Sequence, residues 1–138
     1  MSGAALSPEL RSAVWQRAGA RCEYCLLHED DAVLPHEPDH IVATQHGGAT
    51  IADNLALSCW DCNHVKGPNL SSVDPLNHEI VPLFHPRLDR WAEHFRLDGS
   101  RIAGLTARGR VTVFLLQLNA PERVRQRRHL QALGRYPV

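Results

Sequence analysis

The four cysteines of this chain fall into two CxxC pairs, Cys22 with Cys25 and Cys59 with Cys62, and none is left over. Two residues between thiolates let both sulfurs of a knuckle face one ion, and two knuckles close a tetrahedral four-thiolate sphere with bonds of about 2.3 Å. Residues 26–58 separate the pairs, more than the usual zinc-ribbon spacing, and an inserted hairpin is expected to fill that length. The opposing reading is disulfides or unrelated buried thiols. Met1 to Leu10 lacks a basic segment followed by an apolar one, so no signal peptide is expected, and a reducing compartment disfavours disulfides. Four thiolates leave no open position for water. The zinc is therefore expected to be structural, with any catalysis elsewhere.

A metal also suits the rest of the composition. The 138 residues allow one domain, or one small domain with a helical extension. Only three Phe, two Tyr and three Trp are available as large core anchors, and so modest a core is usually reinforced. No run of about 18 apolar residues exists, so a membrane span is not expected and the predicted location is cytoplasmic.

The net charge of zero sums two unlike parts. Residues 1–100 carry seven Lys or Arg against 14 Asp or Glu (−7), and residues 101–138 carry eight against one (+7). Such asymmetry suggests a basic arm for nucleic acid, with a solvated helix that pairs with the acidic body as the competing reading.

Ser7 is placed to cap a helix beginning at Pro8, with Leu10, Val14 and Ala18 at helical spacing and Gly19 as the stop. His28 to Pro38 is acidic and proline-flanked and reads as a loop. A first short strand is expected within Asp39 to Thr44, a turn at Gly47-Gly48, a second strand over Asn54 to Ser58, and a helix from about Trp60 to Lys66, ended by Gly67-Pro68. Asn69 to His85 reads as an extended wrap with little regular structure. Beyond it, Leu88, Trp91, Ala92 and Phe95 share helical spacing, and Asp98-Gly99 marks a hairpin. Thr106 can cap a helix with Val111, Phe114, Leu115 and Leu118 on one face, and Pro121 can open another carrying Val124, Leu130 and Leu133.

Between and after the knuckles run Pro38-Asp39-His40-Ile41-Val42, Gly47-Gly48, Asp53-Asn54-Leu55 and Cys59-Trp60-Asp61-Cys62-Asn63-His64-Val65-Lys66-Gly67. This series closely resembles the HNH endonuclease family: an Asp-His-Ile strand, a Gly-Gly turn, an Asn-Leu at the second strand, then CxxC followed by His or Asn and xxKG. The resemblance covers about a third of the chain, Cys22 to Gly67. It implies an α+β fold: a zinc-stabilised ββα-metal core with an N-terminal helix and a mostly helical C-terminal extension. The expected domains are residues 1–70, the nuclease core, and residues 71–138, an extension packed on it with basic final helices.

Phosphodiester hydrolysis needs a deprotonated water, a Lewis acid on the phosphate and help for the leaving oxygen. His40 is assigned as general base, because a neutral imidazole takes a proton from water near pH 7. A regular strand would send Asp39 to the opposite side from His40. The resemblance instead implies a distorted strand end at which Asp39 is a metal ligand. It further implies that Asn63, in the family's last position, is the second ligand, as in an HNN-type branch. A carboxylate and an amide oxygen form a hard site suited to Mg²⁺ or Mn²⁺. By the same resemblance Asn54 braces the loop and helps orient His40.

His64 could replace Asn63 only if the helix started differently, since one position turns a side chain by about 100°. Lys66 has two readings, a contact to substrate phosphate or a cation placed at a helix C-terminus. His46 also has two, an approach to the phosphate or a solvated loop residue, and the other histidines show no metal-ligand spacing. In the last helix Arg123 and Arg127, with Arg128 adjacent, can form a stripe for sequence-independent phosphate contact, or the helix can dock through its apolar positions.

The expected function is hydrolysis of DNA phosphodiesters by a one-ion mechanism, with DNA held through its phosphates. A non-catalytic zinc module that binds nucleic acid or protein is the alternative, and a redox CxxC protein the third reading.

Overall fold

In the computed structural model, which describes residues 6–137, the first helix begins where its cap dictates. The first five residues of the stretch read for a signal peptide lie outside the described residues. Helix α1 spans Pro8–Ala18: the Ser7 hydroxyl accepts from Leu10 N at 3.1 Å, Pro8 occupies the first turn, and Gly19 at φ 62° ends it. Its buried face meets the second strand, where Val14, Leu55 and Leu57 form a fully buried cluster flanked by Leu6, Leu10, Trp15 and Ala18. Each large aliphatic side chain buried here contributes about 1.5–3 kcal/mol. Arg17 adds a polar tie, donating to Ala52 O at 2.9 Å and to Leu55 O.

Strands β1 (Glu37–His40) and β2 (Leu55–Ser58) pair antiparallel, from Glu37 opposite Ser58 to His40 opposite Leu55. The first strand thus starts before Asp39 and stops at His40, instead of running through Ile41 and Val42. The reason is Asn54, whose amide bonds both backbone groups of Val42, so the chain leaves the ladder there. A short 3₁₀ turn, Thr44–His46, follows, and then the Gly-Gly turn. Helix α2 is Trp60–Lys66, capped by the Cys59 side chain and stopped at Gly67.

The chain divides into two compact units, residues 1–70 and 71–138, and all of the elements above belong to the first. The second opens with a hairpin that the proline-rich sequence does not suggest: β3 (Ser71–Val73) pairs with β4 (Ile80–Pro82). Asp74 N bonds Glu79 O and His78 N bonds Asp74 O, closing the loop, while Pro82 sits at the end of the ladder. Helix α3 is only Trp91–His94, because Phe95 starts β5 (Phe95–Asp98), which pairs with β6 (Arg101–Gly104) across Gly99 at φ 60°.

Helix α4 (Ala107–Leu115) is capped by Thr106, and α5 (Pro121–Ala132) opens on its proline. On α4 the buried residues are Gly109, Val111 and Thr112, with Leu116 and Leu118 buried just past its end, whereas Phe114 is exposed. The expected arginine stripe is also not on the surface. Arg123 donates to Leu116 O at 2.8 Å, and Arg127 donates to Ser100 O at 2.7 Å and Leu118 O at 2.6 Å; both are buried. Their guanidinium forks satisfy carbonyls just past the end of α4, at Leu116 and Leu118, and one in the β5–β6 turn, at Ser100.

Candidate active site

The metal-ligating cysteines are brought together by two backbone knuckles. The four Sγ atoms lie within 4.8 Å of one another, with Cys25 Sγ 3.7 Å from Cys59 Sγ. A tetrahedral ion with bonds of about 2.3 Å requires sulfurs about 3.8 Å apart, so the four sulfurs are placed to hold one metal ion, which supports zinc, and Cys25 and Cys59 are too far apart for a disulfide. Cys25 N points at Cys22 Sγ and Cys62 N at Cys59 Sγ, each at 3.4 Å. Hydrogen bonding with Cys22 raises the Cys59 thiol, and burial raises that of Cys62, so binding an ion must displace protons from these sulfurs.

Each knuckle is tied to an element beside the predicted site. The first grips β2 twice: Glu23 N donates to Leu57 O, and the Glu23 carboxylate accepts from Leu57 N, both at 2.8 Å. The second knuckle is itself the start of α2, so the residue after Cys62 is already on the helix. Asn63 follows from that placement, beside the end of β1.

A cleft of roughly 630 Å³ opens there, lined among others by Asp39, His40, Asn63, His64, Arg11 and Glu37. It joins a carboxylate and an imidazole, from the adjacent Asp39 and His40 of β1, with a carboxamide from Asn63 of α2. Asp39 and His40, successive residues at the end of β1, both line the cleft while remaining buried.

His40 Nε2 is 2.9 Å from Thr50 Oγ1, a partner with no motif signal in the sequence. Burial lowers the pKa of the imidazole and so favours the neutral ring, against the opposing pull of Asp39. Asp39 Oδ2 accepts from the Tyr24 hydroxyl at 3.0 Å and lies 3.1 Å from the Lys66 ammonium. Burial raises the carboxyl pKa of Asp39, and Lys66 pulls it back down. Burial and the nearby Asp39 hold the Tyr24 phenol well above its ordinary value.

Lys66 stands in the last turn of α2, as the reading of a cation at a helix C-terminus placed it, but with its side chain buried. Its side chain is 2% exposed and turned to β1, donating to His40 O at 3.3 Å and Ile41 O at 3.4 Å. Asn54 is a loop brace: its Oδ1 accepts from Val42 N, and its Nδ2 donates to Val42 O and Ala49 O, all at 2.9 Å. It thus acts on the segment just after His40, through the backbone of Val42. His64 lines the cleft while its ring stacks on the exposed Trp60, with centroids 4.6 Å apart and planes at 9°. His46 bonds Pro68 O at 3.1 Å on the surface. Tyr24 and Thr50 were missed in the sequence because their contacts span 15 and 10 residues and neither stands at a motif position.

Residues 22–69 match the HNH endonuclease family. The Septu protein PtuB of Bacillus thuringiensis is 25% identical over 119 residues, which cover 85% of this chain and 44% of that relative. The chain therefore spans less than half the length of the curated relative it matches. No solved structure matches it. The matched family is one of endonucleases, and the small α+β architecture with its cysteine cluster is consistent with the ββα-metal fold. Residues 22–69 are similar to the HNH endonuclease domain, and that likeness covers about a third of the chain.

Proposed function

We propose that the domain hydrolyses DNA phosphodiester bonds, with His40 as general base and one divalent ion held by Asp39 and Asn63. The observation that carries this reading is the single cleft lined by all three residues. A carboxylate and a carboxamide oxygen suit a hard cation such as Mg²⁺ or Mn²⁺, whose remaining positions water and phosphate would fill. The closed thiolate sphere nearby suits zinc and leaves no position for substrate. When bound, the divalent ion supplies Lewis-acid stabilisation of the charge that develops on the phosphate.

The chain's own residues do the rest. His40 Nε2 pairs with Thr50 Oγ1, and in the tautomer in which Nε2 donates, the proton of the attacking water would pass to Nδ1. The depressed imidazole pKa keeps that nitrogen unprotonated near neutral pH. Asn54 holds Val42 and thereby the exit of β1, so that the His40 end of the strand keeps its place. Arg11, at the cleft wall, supplies positive charge for the phosphate backbone.

One observation favours the non-catalytic alternative: Asp39 already has a buried cationic partner in Lys66. Both of these polar contacts of Asp39, from Tyr24 and from Lys66, fall on Oδ2, however, which leaves ligation to Oδ1. Supercoiled plasmid incubated with the zinc-loaded protein, with Mg²⁺ or Mn²⁺ and then with added chelator, separates the readings. Metal-dependent nicking is expected; plasmid binding without cleavage across both metals would establish the non-catalytic module.

A further inference from the structure

Both anchors of Asp39 belong to the cysteine knuckles. Tyr24 lies between Cys22 and Cys25, is 1% exposed, and donates to Asp39 Oδ2. Lys66 lies one turn past Cys62 on a helix whose N-cap is Cys59, and its ammonium meets the same oxygen. The two segments joined by the four sulfurs therefore converge a second time, on one carboxylate oxygen of β1. Lys66 also grips the backbone of β1 itself through the carbonyls of His40 and Ile41. Through Glu23, the first knuckle is fixed to Leu57, the residue opposite Pro38.

We infer that Tyr24 and Lys66 are positioning residues that carry the geometry of the cysteine site to Asp39, fixing its carboxylate so that the cleft binds a divalent ion tightly. The inference rests on the reading of Asp39 as a ligand. An aspartate with two bonds on Oδ2 has a fixed carboxylate plane before the ion arrives, so little side-chain entropy remains to be lost on ligation. Partners that orient a metal ligand typically account for about 10–100-fold in affinity. Lys66 also offsets the charge of Asp39, which lets an ionised ligand stand at a buried position on the cleft wall.

The test is an Mn²⁺ titration of the zinc-loaded protein, read by electron paramagnetic resonance of the free ion. Tyr24→Phe removes one hydroxyl and keeps the ring. It is expected to weaken Mn²⁺ binding about tenfold, with zinc content and circular dichroism unchanged. Lys66→Met is expected to weaken binding at least as much, and Lys66→Arg to restore part of the loss. In plasmid nicking the Tyr24→Phe deficit should appear as a higher Mn²⁺ requirement, with the rate at saturating Mn²⁺ retained. If Lys66→Met does not fold, Tyr24→Phe decides. Unchanged or tighter Mn²⁺ binding in folded Tyr24→Phe, with Asp39→Ala defective, would overturn the positioning role alone. Wild-type affinity in Asp39→Ala would overturn the ligand reading and the positioning role with it.

Discussion

The ammonium of Lys66 lies 3.1 Å from Oδ2 of Asp39, and both side chains are buried. Removing one partner of such a pair strands a charge in the interior, at a cost of about 3–5 kcal/mol, while replacing both with apolar groups is often neutral. Lys66→Met is expected to lower the stability measured by urea unfolding by that order, and Lys66→Met with Asp39→Leu to recover most of it. Equal loss in the single and double variants would show that the pair carries little of the fold.

The Gly-Gly turn contains one glycine required by space and one by conformation. A Cβ at Gly48 would stand 1.7 Å from Val42 O and 2.9 Å from Asn54 Nδ2, inside the brace that ends β1. A Cβ at Gly47 meets nothing within 4 Å, but the residue has φ 87°. Left-handed backbone costs a side-chain residue about 1–2 kcal/mol, whereas Gly48→Ala must displace backbone. Thermal unfolding should therefore show a larger loss for Gly48→Ala than for Gly47→Ala. The reverse order would contradict the placement of Asn54 against Val42.

In the second unit, Arg110 clamps Asp74 through Nε at 3.2 Å and Nη2 at 2.8 Å. Hydrogen bonding from Arg110 holds the Asp74 carboxyl below its ordinary value. A carboxyl whose folded pKa lies below its unfolded one contributes stability above the unfolded value, and that contribution disappears as pH falls through the folded value. Wild type is expected to exceed Asp74→Asn in stability at neutral pH, with the gap closing in acid. A gap independent of pH would assign the effect to packing.

Arg127 and Arg128 are adjacent in sequence and opposite in placement. Arg127 is buried on backbone carbonyls, whereas Arg128 is exposed. Arg127→Met should destabilise the protein by more than about 2 kcal/mol, since hydrogen bonds to a charged group contribute about 1.5–3 kcal/mol each. It should leave the salt dependence of DNA binding unaltered. Arg128→Ala should leave the unfolding midpoint in place. A weakened salt dependence without loss of stability in Arg127→Met would return that residue to the phosphate arm.

What could be read from the chain before folding was local. The limits of α1 follow from Ser7, Pro8 and Gly19, and those of α2 from Cys59 and Gly67, because caps act within one turn. The cysteine spacing likewise announced the metal-ligating cluster. Contacts set by tertiary approach were not legible. Val42 sits in a β-branched, apolar run and reads as strand, but the distant Asn54 side chain takes its backbone bonds. The β3–β4 hairpin lay hidden among prolines. Arg123 and Arg127 read as surface charge because helical spacing cannot tell a solvated face from one turned toward open carbonyls. At the candidate site, motif order named the cleft residues, while Tyr24 and Thr50 emerge only from approach in space.

The central claim is that His40 takes the proton from water in a phosphodiester hydrolase, and the most direct measurement is the nicking rate of supercoiled DNA by wild type and His40→Ala at equal zinc content and saturating Mg²⁺. A positioned general base contributes about 10²–10⁴-fold. The account predicts a loss of at least that size with the fold and the cysteine-bound zinc intact. A His40→Ala protein that nicks at the wild-type rate would contradict it.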